Sequence, residues 1–410
     1  MVFSVRTFNN INQVGLKELG NRFQIDGDHA ANPDAFIIRS ENLHGFDFPE
    51  NLKAIARAGA GTNNIPIDEA TEKGIVVFNT PGANANAVKE AVIASILLSA
   101  RDYIGATAWT NTLSGDDVPK QVEAGKKQFA GTEISGKTLG VIGLGAIGAR
   151  IANDARRLGM NVLGYDPYVS IETAWSISSH VKRVDDLKEI FTNADYITVH
   201  VPLTDKTRDL FNADSFGQMK KGTTLINFAR GELVNNADLF EAIEAGVIKK
   251  YITDFGTEEV LNKDNIIVFP HVGGSTEEAE LNCAIAAGQT IRHFMETGEI
   301  INSVNFPNVK QFLDAPYRIT LINKNIPNMV AKITTAVSEL GINIDNIINK
   351  SKGDYAYTLL DLDEADKTKI DQLVTNFEAT DAIVKVRVIK NKICKNHLPE
   401  SAWSYVLGYK

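Results

Sequence analysis

One stretch constrains this chain more than any other: residues 137–166, KTLGVIGLGAIGARIANDARRLGMNVLGYD. The apolar run Leu139 to Ile142 has the length and composition of a buried parallel strand, and it leads directly into Gly143-x-Gly145-x-x-Gly148. Each glycine answers a separate steric demand. Gly143 permits a tight turn, Gly145 lets backbone approach a pyrophosphate, and Gly148 lets the helix over 147–158 pack close to the strand. The first-turn N–H groups of that helix have no partners inside it, so together with the helix dipole they form an anion site. Gly159 ends the helix, and Asn161 to Tyr165 forms a second strand ending at Asp166. A carboxylate there accepts the ribose hydroxyls of NAD, whereas the 2′-phosphate of NADP would meet like charge. The pattern predicts a dinucleotide-binding β-α-β unit that prefers NAD.

At 410 residues the chain is long enough for two to three domains with sizeable cores. Acidic residues outnumber basic ones 51 to 42, for a net charge of −9, and there is no basic run; nucleic acid and anionic membranes are therefore not expected as partners. The N-terminus lacks an apolar signal core, and the longest apolar stretch, Ala91 to Ala100, is too short to span a bilayer. Cys283 and Cys394 stand far apart with no Cys/His cluster, so a cytoplasmic protein without disulfide, structural zinc or other metal is expected.

From the start to about residue 87, β-rich runs (Phe3 to Phe8, Ala35 to Arg39, Leu52 to Ala58, Ile75 to Asn79) alternate with helical segments. Such alternation gives a parallel sheet with helical crossovers, here the first part of a flavodoxin-like substrate-binding domain (1–87). A long apolar helix, Ala87 to Ala100, and a polar connecting stretch, Asn111 to Lys127, precede the dinucleotide unit. Beyond it, strands recur at Tyr196 to Val201, Thr224 to Phe228, Tyr251 to Asp254 and Ile266 to Phe269, so a Rossmann-like doubly wound parallel sheet is expected over 88–282. The helix Thr276 to Thr297 and the segment Ile300 to Phe306 return the chain to the first domain (283–306), with the dinucleotide domain inserted in it. Residues 317–390 read strand, helix, strand, strand, helix, strand, a ferredoxin-like βαββαβ domain placed where a regulator would sit; its second helix is expected from Ala365 to Asn376. The tail, 391–410, carries Trp403, Tyr405 and Tyr409 without usable periodicity.

Three polar residues fall where Rossmann sheets place catalytic groups: Arg230 after Asn227-Phe228-Ala229, Glu259 after Asp254, and His271 in Pro-His-Val-Gly-Gly-Ser. Moving a hydride from an alcohol requires a base for the hydroxyl proton, and imidazole, with a free pKa of ~6.5, suits that task. A carboxylate bonded to the ring would orient it. An arginine binds the carboxylate of a 2-hydroxy acid through two parallel hydrogen bonds and polarises the developing carbonyl.

The glycine turn with Asp166, His200-Val201-Pro202-Leu203-Thr204, Asn227-Phe228-Ala229-Arg230-Gly231-Glu232 and Pro270-His271-Val272-Gly273-Gly274-Ser275-Thr276 together resemble the NAD-dependent D-2-hydroxyacid dehydrogenases over about residues 1–390. Within that family the chain is similar to members acting on D-3-phosphoglycerate at the start of L-serine biosynthesis. The resemblance implies catalytic Arg230, Glu259 and His271. It also implies NAD contacts at Gly143, Gly145, Ala146, Ile147, Gly148, Asp166, His200, Val201, Pro202, Phe228, Ala229, Arg230, Asp254, His271, Val272, Gly273 and Gly274. Arg57 and Asn84, with Arg230, would contact the substrate, and Lys53 would assist electrostatically. Where the family has an acid-proline pair this chain has Glu259-Val260 preceded by Glu258, so the acid beside the histidine stays open between Glu258 and Glu259.

The C-terminal module is similar to ACT domains, which implies an L-serine effector at Asn325 and Asn343 and a homodimer or homotetramer. Asn323 stands where serine-sensing members carry histidine, and Asn328 where they carry glycine, so an assembly role for the module stays open beside a sensing one. Alternatives to phosphoglycerate oxidation are reduction of an unphosphorylated 2-keto acid such as hydroxypyruvate or glyoxylate, and an NADH-sensing binding protein on the same fold.

Overall fold

The computed structural model describes residues 2–25, 32–364 and 366–391. The tail 391–410, apart from Asn391, lies outside the described residues, as do Cys394 and the expected helix start at Ala365. The chain forms two compact units, one from Pro81 to Glu280 and one joining the residues up to Thr80 with those from Leu281 onward.

The discontinuous unit contains two sheets. In the first, five parallel strands run in the order Phe23–Ile25, Phe3–Thr7, Ala35–Ile38, Ala54–Arg57, Val76–Phe78, the flavodoxin order. Its central strand Ala35–Ile38 is buried at every residue, as a parallel sheet covered on both faces requires. The outer strand Phe23–Ile25 exposes two of its three residues and carries no apolar run, so the sequence reading passes over it. At the opposite edge the returning segment covers the sheet. Val304 N donates to Val77 O (2.8 Å), and the buried Asn305 amide accepts from Val77 N (2.9 Å) and donates to Ile75 O and to Thr71 Oγ1 (2.9 Å each). One asparagine thereby satisfies backbone groups that an open edge would leave exposed.

The second sheet is antiparallel, ordered Ile344–Lys352, Tyr355–Leu362, Tyr317–Lys324, Ile383–Lys390, the ferredoxin-like arrangement. Alternation along Tyr317–Lys324 sends Ile319 and Leu321 toward Ile333 and Val337 of helix Met329–Glu339 and Ile370, Leu373 and Phe377 of helix Lys367–Glu378. The other face is polar and docked within the same unit. Arg318, fully buried, forks onto Asp361 (Nε to Oδ1 2.6 Å, Nη2 to Oδ2 2.7 Å) and donates to Thr297 O and Gln311 O (2.8 Å each). Tyr357 Oη donates to Gly298 O (2.6 Å), and Lys385 Nζ to Leu52 O (2.5 Å). Burial among Lys53 and Arg387 pushes the Lys385 ammonium down to about 8.

The continuous unit is a seven-stranded parallel sheet in the order Ile266–Val268, Ile248–Thr253, Thr223–Asn227, Tyr196–Val199, Thr138–Ile142, Asn161–Tyr165, Lys182–Arg183. The order reverses between Tyr196–Val199 and Thr138–Ile142, the switch point where doubly wound sheets bind ligands. Helix Ala85–Ala100 packs Val88, Val92, Ile96 and Ala100 with Leu139, Val141 and Ile226, so this unit begins at Pro81 and includes Asn84, which the sequence reading assigned to the first domain. Two helices, Tyr103–Thr110 and Val118–Gly125, and a 3₁₀ turn, Lys126–Phe129, occupy the connecting stretch without burying any residue. Among the described residues no single helix is long and apolar enough to cross a membrane.

Asp361 is 2% exposed, so removing its arginine strands a buried carboxylate. Arg318→Met should lower unfolding stability by about 3–5 kcal/mol, and Arg318→Met/Asp361→Leu should recover most of the loss. Chemical denaturation followed by circular dichroism checks this; a single-mutant loss below about 1 kcal/mol would mean that water compensates the pair.

Candidate active site

Each glycine of the turn has its own environment. Gly143 adopts φ +89°, and a Cβ on it would lie 2.6 Å from His200 O and 3.0 Å from Val201 Cγ1. A Cβ on Gly148 would lie 1.9 Å from Gly143 O, so only glycine allows the helix Gly148–Arg157 to approach the strand this closely. At Gly145 there is no atom within 4 Å of the Cβ position, leaving open space over the turn. The N-cap residue, Ile147, places no side-chain acceptor on the first amides, which remain available to an anion. Ala146 packs near Gly82, whose Cβ would sit 3.1 Å from the Ala146 methyl.

Asp166 accepts from Leu144 N through Oδ2 and from Tyr168 N through Oδ1 (2.8 Å each). These bonds fix the carboxylate at the strand end, and its remaining lone pairs can accept hydroxyls. His200 sits behind the turn, with Nε2 2.8 Å from Thr198 Oγ1 and Nδ1 buried without a partner. Burial pushes its imidazole down to about 3, so the ring is neutral and shapes the wall rather than supplying charge. Pro202 O accepts from Thr207 Oγ1 (2.6 Å), which holds the loop after that strand.

The sequence list omits the residue that builds the Arg230 turn. Asn227, fully buried, accepts from Ala229 N (3.0 Å) and Arg230 N (3.3 Å) through Oδ1 and donates to Arg230 O (2.7 Å) through Nδ2. An Asn at a strand end before a turn is the available signal. The Arg230 guanidinium is exposed and donates to its own Ala229 O (2.7 Å).

Asp254 organises the histidine loop. Its carbonyl accepts from His271 N (3.1 Å), and its Oδ2 accepts from Gly273 N (3.1 Å). A Cβ on Gly273 would lie 2.7 Å from the Phe228 ring, and one on Gly274 2.5 Å from Asn84 Nδ2, so the two glycines seat this loop against Phe228 and Asn84. Burial raises the Asp254 carboxyl above the usual carboxylate range, opposed by the Gly273 N–H and by the charges of His271 and Arg230; its Oδ1 is buried without a partner. His271 adopts φ +30° and packs edge-on to Phe255 at 5.0 Å, while Val272 is half exposed. Its expected carboxylate partner is elsewhere: Glu259 Oε2 accepts from Asn236 Nδ2 (2.8 Å), and both Glu258 and Glu259 are exposed. The Asn236 amide, at the start of the helix Asn236–Glu244, holds the Glu259 carboxylate, and no Glu259–His271 hydrogen bond is present among the described residues.

In the other unit, Arg57 ends a strand and turns back on its own loop, with Nε donating to Arg39 O (3.0 Å) and Nη1 to Gly61 O (2.5 Å). Lys53 lies at the opposite, N-terminal end of that strand and is paired with Asp34 (2.6 Å), so the electrostatic role expected for it beside Arg57 is corrected. Asn325 and Asn343 are likewise separated. Asn325 follows Lys324, paired with Tyr355, and Asn343 precedes Ile344, paired with Leu362, placing them at opposite ends of the sheet, roughly 25 Å apart. Asn325 donates to Gly353 O (3.1 Å). Asn328 adopts φ +68°, a left-handed conformation that asparagine tolerates in place of glycine. Among the described residues no group of three or more His, Cys, Asp or Glu is arranged to hold a metal ion.

Residues 95–273 match the family described as D-isomer specific 2-hydroxyacid dehydrogenase, NAD binding domain. The chain is 41% identical over 287 residues to D-3-phosphoglycerate dehydrogenase of Methanocaldococcus jannaschii, covering 68% of this chain and 53% of that protein. It thus spans about half the length of that relative. With D-3-phosphoglycerate dehydrogenase 1 of Saccharomyces cerevisiae it shares 30% identity over 364 residues, covering 83% of this chain and 74% of that protein. Among solved structures it is similar to the NAD⁺-bound 3-phosphoglycerate dehydrogenase of Entamoeba histolytica, with a TM-score of 0.57 and 25% identity over 74% of this chain and 99% of that one. The apo D-mandelate dehydrogenase of Rhodotorula graminis, at TM-score 0.63 and 21% identity over 76% and 99%, shares the fold.

The glycine environments separate stability from binding. Gly145→Ala should fold with an unchanged melting temperature yet lose dinucleotide affinity, whereas Gly148→Ala should lose stability itself. Calorimetric melting with NADH titration checks both, and a Gly145→Ala protein that binds NADH as wild type does would refute the role given to that open space.

Proposed function

The chain belongs to the D-isomer specific 2-hydroxyacid dehydrogenases, and on that premise we propose that it oxidises D-3-phosphoglycerate to 3-phosphohydroxypyruvate with NAD, the first step of L-serine biosynthesis. The observation that carries this reading is the convergence of the glycine turn, the Arg230 turn and the His271 loop at the carboxyl ends of one parallel sheet. The residues present fit the dinucleotide. Open space at Gly145 and the uncapped amides of the following helix suit a pyrophosphate, Asp166 suits the ribose hydroxyls, and the partnerless Asp254 Oδ1 suits an amide donor. The remaining contacts would come from Ala146, Ile147, His200 to Pro202, Phe228 to Arg230 and His271 to Gly274.

When bound, NAD supplies the acceptor for the hydride leaving the substrate's C2. His271 takes the hydroxyl proton as the C–O bond becomes a carbonyl, and returns it in the reverse direction. Arg230 leaves the Ala229 carbonyl to bind the substrate carboxylate as a fork, with Asn227 holding the turn rigid beneath it. Glu259 serves His271 as orienting partner only after leaving Asn236. Residues 1–80 and 281–306 act as the substrate-binding domain, residues 81–280 as the NAD-binding domain, and Asn84 assists from the loop packed on Gly274. One observation favours an unphosphorylated 2-keto acid such as hydroxypyruvate instead: the Arg57 donors seen here serve the protein's own carbonyls, not an outward anion site.

The C-terminal domain is read as an ACT module, regulatory or purely an assembly unit. A serine site using both Asn325 and Asn343 needs two copies of the chain, since one copy holds them at opposite ends of the sheet. A homodimer or homotetramer follows from this reading, and a cytoplasmic location is proposed beside it.

Steady-state turnover with NAD and a panel of 2-hydroxy acids tests the assignment. Arg57→Ala should raise KM for 3-phosphoglycerate by roughly tenfold or more, about 1.4 kcal/mol or more of charged contact, while barely altering KM for an unphosphorylated acid; equal losses would return Arg57 to a scaffold role. No turnover of any acid would leave an NADH-binding protein.

His271→Ala should cut kcat by about 10²–10⁴-fold with NADH binding retained. For the orienting acid, Glu259→Gln should shift the pH profile of kcat/KM and Glu258→Gln should not; the reverse pattern would move the role to Glu258.

A further inference from the structure

A cavity of about 820 Å³ lies in the discontinuous unit, between the turn Gly20 to Arg22, the helix Glu277–Thr297 and the segment Glu299 to Asn302, and none of the site residues above lines it. Its volume falls within the range of small-molecule sites, roughly 300–1,000 Å³. Gln289, Arg292, His293 and Glu296 recur at helical spacing and therefore share one face, which forms a polar wall.

The charges on this wall are unequally satisfied. Arg22 Nη1 lies 2.8 Å from Glu296 Oε1. His293 Nε2 lies 2.7 Å from Glu299 Oε2, off the hydrogen-bonding direction, a close contact that becomes an ion pair when the ring is protonated. Gln289 donates to Glu18, at the rim (3.1 Å). Arg292 alone is exposed and has neither a hydrogen bond nor an ion pair with any described residue. Its fork of donors, beside a cavity whose carboxylates already have partners, suits a ligand that brings one negative group.

We propose that this cavity is an effector site for a small anion, a carboxylate or a phosphate, held by Arg292 and sensed through His293. The wall is wired to the C-terminal sheet. Glu299 is 6% exposed and its Oε1 accepts from Gln311 N (2.6 Å), while Gln311 O accepts from Arg318, the buried arginine paired with Asp361. Although burial opposes it, contact with His293, the Gln311 N–H and the Arg318 charge holds the Glu299 carboxyl below the usual carboxylate range. An anion beside His293 competes with Glu299 for the ring, and Glu299 shares Gln311 with the Arg318–Asp361 pair. Occupancy is therefore transmitted to the strand Tyr317–Lys324 through two bonds on one residue, Gln311.

The test titrates the full chain with inorganic phosphate and, separately, malonate at constant ionic strength, by calorimetry, in wild type, Arg292→Gln and Arg57→Ala/Arg230→Ala. Wild type and the double variant should bind at least one of the two anions, and Arg292→Gln should bind it roughly tenfold or more weakly; which anion binds decides between the two chemistries. No binding of either anion, undiminished binding by Arg292→Gln, or loss in the double variant overturns the site. Hydrogen exchange of residues 317–324 should change with the anion in wild type but not in Arg292→Gln, and unchanged exchange in saturated wild type overturns the relay.

Discussion

The approach of a helix to a strand at a single carbonyl governs the dinucleotide unit. With Gly148 bearing no Cβ, the helix start sits where any side chain would lie 1.9 Å from Gly143 O. That contact fixes the turn, which in turn points the uncapped first amides into the open space over Gly145. The same economy of side chains repeats around it. A Cβ on Gly140 would lie 2.4 Å from Ile190, and one on Gly164 2.9 Å from Leu144. Helices on both faces close onto the central strands because glycines let them, and the switch point between Thr138–Ile142 and Tyr196–Val199 stays narrow enough for backbone groups to line it.

Local patterning made most of this visible beforehand. The strand Asn161–Tyr165 is bounded by Gly159 and Asp166, and the observed strand has those limits. In the C-terminal module each of the six expected elements is found, because period-two and helical patterns alternate cleanly between turn residues. The strand Phe23–Ile25 escaped notice because edge strands bury little and need no apolar run. The helices from Tyr103 to Gly125 escaped it too, since each is only eight residues long, too short for a period to stand out.

The site was legible as positions rather than as contacts. Strand ends and glycines located Arg230, Asp254 and His271, and an Asn at a strand end before a turn is the local signal for Asn227. Nothing local says that Asn236 would hold Glu259. That pairing joins residues 23 apart through a side-chain amide, and the choice between an amide and an imidazole partner is settled by tertiary geometry. Asn325 and Asn343 show the same limit: each stands at a turn, yet strand register alone reveals that one chain keeps them apart.

Docking of the C-terminal sheet adds a constraint on how that domain can act. A ferredoxin-like sheet with helices on one face ordinarily leaves its other face for solvent or partners; here Arg318, Tyr357 and Lys385 bond that face to backbone carbonyls of the first domain and the returning segment. The carbonyls of Thr297, Gln311, Gly298 and Leu52 define a single register, because sliding the sheet by one residue would take Arg318, Tyr357 and Lys385 away from them while the Arg318–Asp361 pair, internal to the sheet, stayed whole. Motion of the sheet against the first domain must therefore break the whole set, and partial displacement is costlier than none.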